Sequence, residues 1–333
     1  MKRSARLGWL IALLPLGGLA VASNVPEAPH GEAPTVRTAI ERSLPYLERD
    51  GDGWMEGRTP VQNGKGCVSC HHVPFALWSL REAQRAGIPV PEDRLGSLED
   101  RALDFVGRPG IGRVMMWTPL LLGHDSPKLK TAEPWNGFRG SIVSAQKADG
   151  LWEARGQFPT QKRPRLESDA VATLWTLLAL AGFEEPHPGA ESSRSKAMEW
   201  VATLDEGESN EWAITKLLVE DVTGEKESAR ERLVEILSSQ RADGGWSFAP
   251  GDPSNAYSTG QTLYTLRQIG VEADHGAIRR AVDYLLETQK ADGTWAVASA
   301  LTSREQSHEK DYIYEYWGTA WAVIGLSQVA ADS

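Results

Sequence analysis

The sequence predicts an all-α protein in which about six helical hairpins close into a ring. Three observations lead there. The string Gln-x-x-Asp-Gly-x-Trp recurs in "AQKADGLW", "SQRADGGW" and "TQKADGTW", with Gln preceding Trp by six positions each time (146 to 152, 240 to 246, 289 to 295). A second series, "ALWSL", "TLWTL", "TLYTL" and "TAWAVIGL", interleaves with it and continues in apolar runs. The segments that end in the first string carry apolar residues at three- and four-residue spacing with charges between them, which marks helices with one wet face.

The repeat sets the period. The last two glutamines are 49 residues apart and the first two 94 apart, close to twice that spacing. A weaker relative, "LERDGDGW" at 47–54, lies 98 residues before the first good copy when Glu48 is matched to Gln146. The predicted outer, amphipathic helices are near 34–48, 92–107, 131–146, 192–204, 226–240 and 276–289. The predicted inner, apolar helices are near 73–87, 113–123, 168–182, 210–220, 256–269 and 315–329. Pro119 makes the second inner helix the least regular. Gly-rich joints such as "RADGG", "APGDPSN" and "LDEGES" separate the two kinds. An open stack of hairpins would need polar capping repeats, and none is evident, so closure into a ring is expected.

The opening of the chain has a different character. Lys2, Arg3 and Arg6 precede an apolar run over 7–22, and Ala20-Val21-Ala22 stands before Ser23. This is the pattern of a secretory signal peptide cleaved near Ala22/Ser23, and it predicts a periplasmic or secreted protein. The run contains Pro15 and paired glycines and is short for a bilayer span. The expected organisation is a signal peptide at 1–22, a flexible linker at 23–33 and one ring domain at 34–330, with no integral membrane segment after cleavage. Cleavage would remove three of the 35 positive charges against 45 carboxylates and take the net charge from −10 to −13. Such a chain would be repelled by nucleic acid and by anionic lipid.

The repeated string resembles the QW repeat of the squalene–hopene cyclase and prenyltransferase superfamily. The copies that carry the resemblance are Gln146/Asp149/Gly150/Trp152, Gln240/Asp243/Gly244/Trp246 and Gln289/Asp292/Gly293/Trp295. The resemblance covers most of 34–330 and implies an (α/α)6 toroid. In that family the motif is a fastener between repeats. Here Gln can tie down helix-end backbone, Asp-Gly can make the turn and Trp can pack back on a neighbouring helix. The resemblance does not extend to the family's chemistry. The Asp-rich D-x-D-D string of hopene cyclases is absent, and so is the Cys-Gly-Glu-Gln of thioester-bearing toroids. The Asp, Cys and His zinc set of protein prenyltransferases cannot be assembled in its usual form. Asp221 in "VEDVTGE" falls where oxidosqualene cyclases carry their acid, yet Asp-x-Thr-Gly is ordinary turn chemistry. A cyclase of two toroidal domains would also be about twice as long.

Cys67 and Cys70, the only cysteines, occur in "GKGCVSCHHVPFALWSL" and are followed at once by His71. C-x-x-C-H is the attachment pattern for a c-type haem. Positions three apart on a helical turn face one side, so both thiols can reach one porphyrin, and the next residue brings an imidazole to the iron. The expected cofactor is therefore covalent haem c, with Cys67 and Cys70 forming thioethers and His71 the proximal ligand. Met116 is the candidate sixth ligand. Met115, His124 and Met55 share the needed chemistry, while His72 adjoins the proximal ligand and is expected to be a surface or helix-capping residue. A disulfide or dithiol pair, and zinc held with His71 and His72, are the alternatives. A compact cytochrome over 34–125 is a rival arrangement, but it would have to ignore the "ALWSL" repeat.

Three functions follow from these readings. The first is an exported haem protein on a terpenoid-cyclase-like scaffold, redox-active or accessory, with a redox partner protein. The second is a terpene-cyclase-like or carbohydrate-active enzyme that uses the ring cavity. Glu167, Asp169, Glu211, Asp311 and Glu315 at inner-helix starts, with Tyr257, Tyr312, Tyr314 and Trp317 nearby, are the side chains available to it. The bland role for those carboxylates is complementing helix dipoles. The third is a non-catalytic binding module.

Overall fold

The computed structural model describes residues 35–59, 72–106, 126–131, 133–155, 161–181, 188–297 and 307–330. The chain divides into residues 1–33 and 34–333, and all described residues belong to the second unit. Its helices are α1 (Val36–Met55), α2 (Val73–Arg85), α3 (Glu92–Val106), α4 (Pro127–Thr131), α5 (Glu133–Ser144), α6 (Arg165–Ala181), α7 (Ala190–Val201), α8 (Asn210–Thr223), α9 (Lys226–Ser238), α10 (Ala256–Gln268), α11 (Gly276–Thr288) and α12 (Ser307–Ala330).

Capping chemistry starts several of them where the polar joints end. Thr35 and Thr38 make a reciprocal capping box before α1. The Ser209 hydroxyl accepts from Trp212 N before α8, and the Asn255 side chain accepts from Ser258 N before α10. α8 stops at Gly224, whose φ of 82° is open to glycine at little cost.

α2, α6, α8, α10 and α12 are the inner helices, and their contacts run α6–α8–α10–α12–α2 around the ring. α1, α3, α5, α7, α9 and α11 lie outside. Inner helices are buried nearly all round, whereas α11 buries only Ala277, Ile278, Ala281 and Leu285 along one stripe. The tightest seam is between α10 and α12. A Cβ on Gly260 would lie 2.4 Å from the Trp321 carbonyl, and one on Gly325 would lie 2.7 Å from Gly260 O.

The three Gln-Trp strings are the fasteners that the motif predicts. Gln146 Nε2 donates to Ser193 O of α7 at 2.7 Å, Gln240 Nε2 to Ala277 O of α11 at 2.9 Å, and Gln289 Nε2 to Ala39 O of α1 at 2.8 Å. Each Trp then turns back on its own outer helix. Trp152, Trp246 and Trp295 donate Nε1–H to Ile142, Ile236 and Leu285 O at 2.8–2.9 Å. Their backbone N–H groups donate to Thr173, Thr259 and Thr319 of the following inner helix. The last copy binds α11 to α1, so a string near the C-terminus fastens the first helix and the ring closes on itself.

The structure differs from the sequence reading in two places. "LERDGDGW" is not a turn: α1 runs through it to Met55. Gly51 lies against Tyr316 OH, at 3.5 Å from where a Cβ would stand, and Asp52 pairs with Arg94 at 3.1 Å and Arg101 at 3.4 Å. Tertiary contact thus keeps helical a stretch whose composition suggests a joint. α12 also begins at Ser307, eight residues before the expected start. The expected inner helix at 113–123 lies outside the described residues. Among the described residues no helix is long and apolar enough to cross a membrane.

Candidate functional site

The inner helices α6, α8, α10 and α12 bring one carboxylate into the ring interior. Glu211, in the first turn of α8, is 2 % exposed. Its Oε1 accepts from Trp175 Nε1 at 3.0 Å, Tyr257 OH at 3.3 Å and Gln261 Nε2 at 3.3 Å. Its Oε2 faces Arg163 Nη1 at 3.0 Å. The guanidinium also reaches Ser209 Oγ and Ser168 Oγ at 3.3 Å, and it lies over the Phe248 ring at 5.6 Å from the centroid. Beside it, Gln161 Nε2 donates to Tyr314 OH at 2.9 Å.

Aromatic rings wall this centre. Tyr257 stands 6.0 Å from Tyr314 and 6.2 Å from Trp317, Trp175 is 5.9 Å from Trp321, and Trp321 is 4.9 Å from Trp78. All are at most 3 % exposed, so the axis of the ring is filled by side chains. Burial, reinforced by Glu211, pushes the Tyr257 hydroxyl well above its ordinary range, and burial raises Tyr314 likewise. Both phenols are neutral at neutral pH: Tyr257 donates to Glu211 and Tyr314 accepts from Gln161.

The other carboxylates named from the sequence do structural work. Glu167 accepts from the backbone N–H groups of Glu208 and Ser209 and holds the joint before α8. Asp169 accepts from Ala154 N at 2.7 Å and from Arg165. Glu315 pairs with Lys290, and Asp311 is half-buried near the start of α12. Tyr312 belongs to a different cluster. Of these five carboxylates Glu211 is the one that meets Trp175 and Tyr257, and its partner Arg163 is a residue that sequence reasoning missed.

That different cluster lies where α1, α2 and α12 meet. Asp50 Oδ2 is 3.1 Å from His72 Nε2, and Tyr312 OH donates to Asp50 Oδ1. The imidazole is fully buried between Trp54, at 4.2 Å and nearly parallel, and Tyr316, at 4.0 Å. Tyr316 OH lies 3.1 Å from the carbonyls of both Leu47 and His72. Burial lowers the His72 pKa, against the opposing pull of Asp50. His72 occupies the N-cap position of α2 without donating or accepting a side-chain cap bond. The surface or capping role expected for it is thus corrected: the extension of α1 brings Asp50 and Trp54 over it.

Cys67, Cys70 and His71, and the sixth-ligand candidates Met115, Met116 and His124, lie outside the described residues. Met55 is half-buried at the end of α1, with Arg101 Nη1 3.0 Å from its sulfur. Among the described residues there is no group of three or more His, Cys, Asp or Glu placed to hold a metal ion.

Residues 213–333 match the squalene-hopene cyclase C-terminal domain. The matched stretch carries two of the three Gln-Trp fasteners and begins just after Glu211. Among solved structures, a point variant of the type II terpene cyclase MstE from Scytonema, in complex with geranylgeranyl dihydroxybenzoate, superposes with a TM-score of 0.58 at 13 % identity, covering 89 % of this chain and 97 % of that one. An unsaturated glucuronyl hydrolase from Streptococcus agalactiae gives 0.59 at 12 % identity, over 91 % and 94 %. A possible GH105 family member from Klebsiella pneumoniae gives 0.57 at 13 %, over 95 % and 100 %. The comparison with curated proteins found no match. At these identities the likeness shows the fold, an α/α toroid of the terpene-cyclase-like kind.

Proposed function

We propose that this toroid is a terpene-cyclase-like enzyme that works in its ring interior on an isoprenoid substrate that develops positive charge. The observation that carries this is Glu211, a buried carboxylate at the start of α8, oriented by Trp175, Tyr257 and Gln261 and enclosed by aromatic faces. A fixed negative charge in a dry, aromatic enclosure favours a cationic transition state over a neutral ground state. Tyr257 and Tyr314, held neutral, add no second negative charge beside it. The domain match over 213–333 supports an isoprenoid over a carbohydrate. The D-x-D-D proton donor of hopene cyclases is absent from the sequence, so the proposal assigns Glu211 the counter-charge and leaves initiation to another acid.

The test is turnover. The purified chain is incubated with a linear polyprenyl substrate and, separately, with an unsaturated uronyl disaccharide, and products are read by mass spectrometry. Conversion of the polyprenyl substrate is expected, with Glu211→Gln losing at least ~100-fold, about 2.7 kcal/mol of transition-state stabilisation. Undiminished turnover in a folded Glu211→Gln variant would overturn the assignment.

A separate observation favours a second reading, an exported haem protein with a redox partner. Trp54, near the end of α1, stacks on His72, one residue before α2. Trp54 and His72, described residues on either side of the segment that carries Cys67, Cys70 and His71, are therefore in contact. His72 Nε2 is committed to Asp50, which leaves His71 as the imidazole for iron. In this reading Cys67 and Cys70 form the thioethers, Met116 is the sixth-ligand candidate, and the group supplies a one-electron iron couple. Expression with a c-type maturation system, followed by mass and visible spectra of wild type and Cys67→Ala/Cys70→Ala, decides it. A colourless, unmodified wild type would remove this reading.

A further inference from the structure

The segment before α6 has an alternating character. Gln161 is 1 % exposed and the Arg163 side chain 1 %, whereas Lys162 and Pro164 are exposed. The backbone bends here, with Arg163 N donating to Gln161 O at 2.7 Å, and the two inward side chains are polar. Arg163 reaches Glu211 and the Ser209 and Ser168 hydroxyls, and Gln161 reaches Tyr314. Arg163 Nη2 also donates to Gln161 Oε1, which links the two.

Beneath them lies a polar face with unmet bonds. Ser258 Oγ, Gln261 Oε1 and Thr265 Oγ1 are buried without hydrogen-bond partners, and so is Trp321 Nε1 of α12. The three α10 residues sit at helical spacings of three and four, so they share one face, and Gln261 places that face beside Glu211. Buried polar atoms are rarely left unmet without a functional reason. Outside, a cleft of about 300 Å³ lined by Gly207, Ser209, Asn210, Trp246 and Ser247 reaches the cap of α8, whose Ser209 hydroxyl touches Arg163.

We propose that residues 161–164 are a latch over a ligand site between α8, α10 and α12 that side chains fill in the latched form, the Arg163 guanidinium occupying the place of the cationic or charge-developing part of the ligand. The proposal rests on the reading of the ring interior as the working site. In the latched form the buried acid already has a cation and the mouth is sealed. Lifting the latch frees Glu211 for a ligand cation and offers the unmet groups of α10 and α12 to the ligand's polar atoms.

The test uses guanidinium chloride at low millimolar concentration as the probe, on the full chain. Arg163→Ala is expected to melt at lower temperature than wild type and to recover with guanidinium, but not with equal sodium chloride or urea. This sign is opposite to guanidinium's usual denaturing effect. A folded Arg163→Ala protein with no guanidinium-specific recovery overturns the proposal. Should Arg163→Ala not fold, Gln161→Ala cuts the tie to Tyr314 and keeps the ion pair. Hydrogen exchange over 161–168 is then expected to quicken at least tenfold while 256–268 is unchanged, and equal rates in the two proteins overturn the latch. Guanidinium recovery without turnover on any substrate keeps the latched site and removes the enzyme. Turnover without recovery does the reverse.

Discussion

Glu211 and Arg163 illustrate what a buried pair costs and provides. Each is nearly free of solvent, so neither charge survives alone at low cost. Arg163→Met by itself leaves a buried, uncompensated carboxylate and is expected to lower the unfolding free energy by about 3–5 kcal/mol. Arg163→Met with Glu211→Leu is expected to recover a large part of that loss, since both charges are gone. Urea denaturation of the single and double variants measures it. Glu211 was legible in the sequence because it opens an apolar helix. Arg163 and Gln161 were not: "QKRP" sits in a joint with no period, and nothing local says which side chain turns inward. His72 was misread for a similar reason, because its burial depends on Asp50 and Trp54, 22 and 18 positions away.

At the scale of elements, the fasteners place glycine where only glycine fits. Gly150, Gly244 and Gly293 have φ of 104°, 88° and 86°, and a Cβ on each would lie 2.3 Å from a carbonyl of the next outer helix, at Lys196, Arg280 and Arg42. Gly251 has nearly the same φ, 87°, with nothing near it. Gly251→Ala is therefore expected to cost only the backbone strain, about 1–2 kcal/mol. Gly293→Ala is expected to cost clearly more, and the difference in urea midpoint between the two reads the close approach. The Asp in the same turn carries a pH signature. Backbone and side-chain hydrogen bonds from Thr294 hold the Asp292 carboxyl below its ordinary value. Its contribution is thus present above the unfolded-state pKa and is lost as pH falls through the lower, folded value. A carboxyl resonance titrating at or above the ordinary value would contradict this, and Asp292→Asn should flatten the acid limb of the stability curve. The two hydrophobic periods located most of the described helices to within a few residues, the exceptions being the start of α12 and the short α4, which they did not signal. They failed also at the end of α1, where composition suggested a turn and packing against α3 and α12 imposed a helix.

For the whole ring, the closing fastener couples α11 to α1. Gln289 bonds Ala39 O and Ser43 Oγ, and Ser43 Oγ also donates to Gly293 O at 2.8 Å. A stack of independent hairpins would lose such contacts locally, whereas a closed ring loses them together. Gln289→Ala/Ser43→Ala is therefore expected to shift far- and near-ultraviolet circular-dichroism melts to the same lower temperature, with one transition. Separate transitions would indicate an open stack. The ring was legible because six apolar inner segments leave no polar end, but its occupants were not, since side chains from four helices meet only after closure. The last helix, finally, faces two ways. Tyr312 and Tyr316 look toward the clasp on His72, while Tyr314, Trp317 and Trp321 look toward Glu211, and glycine contact welds this rod to its neighbour. Rim and axis are thus geared to one shaft: a disturbance that slides or turns it at either end is transmitted to the other, so neither can be redesigned in isolation.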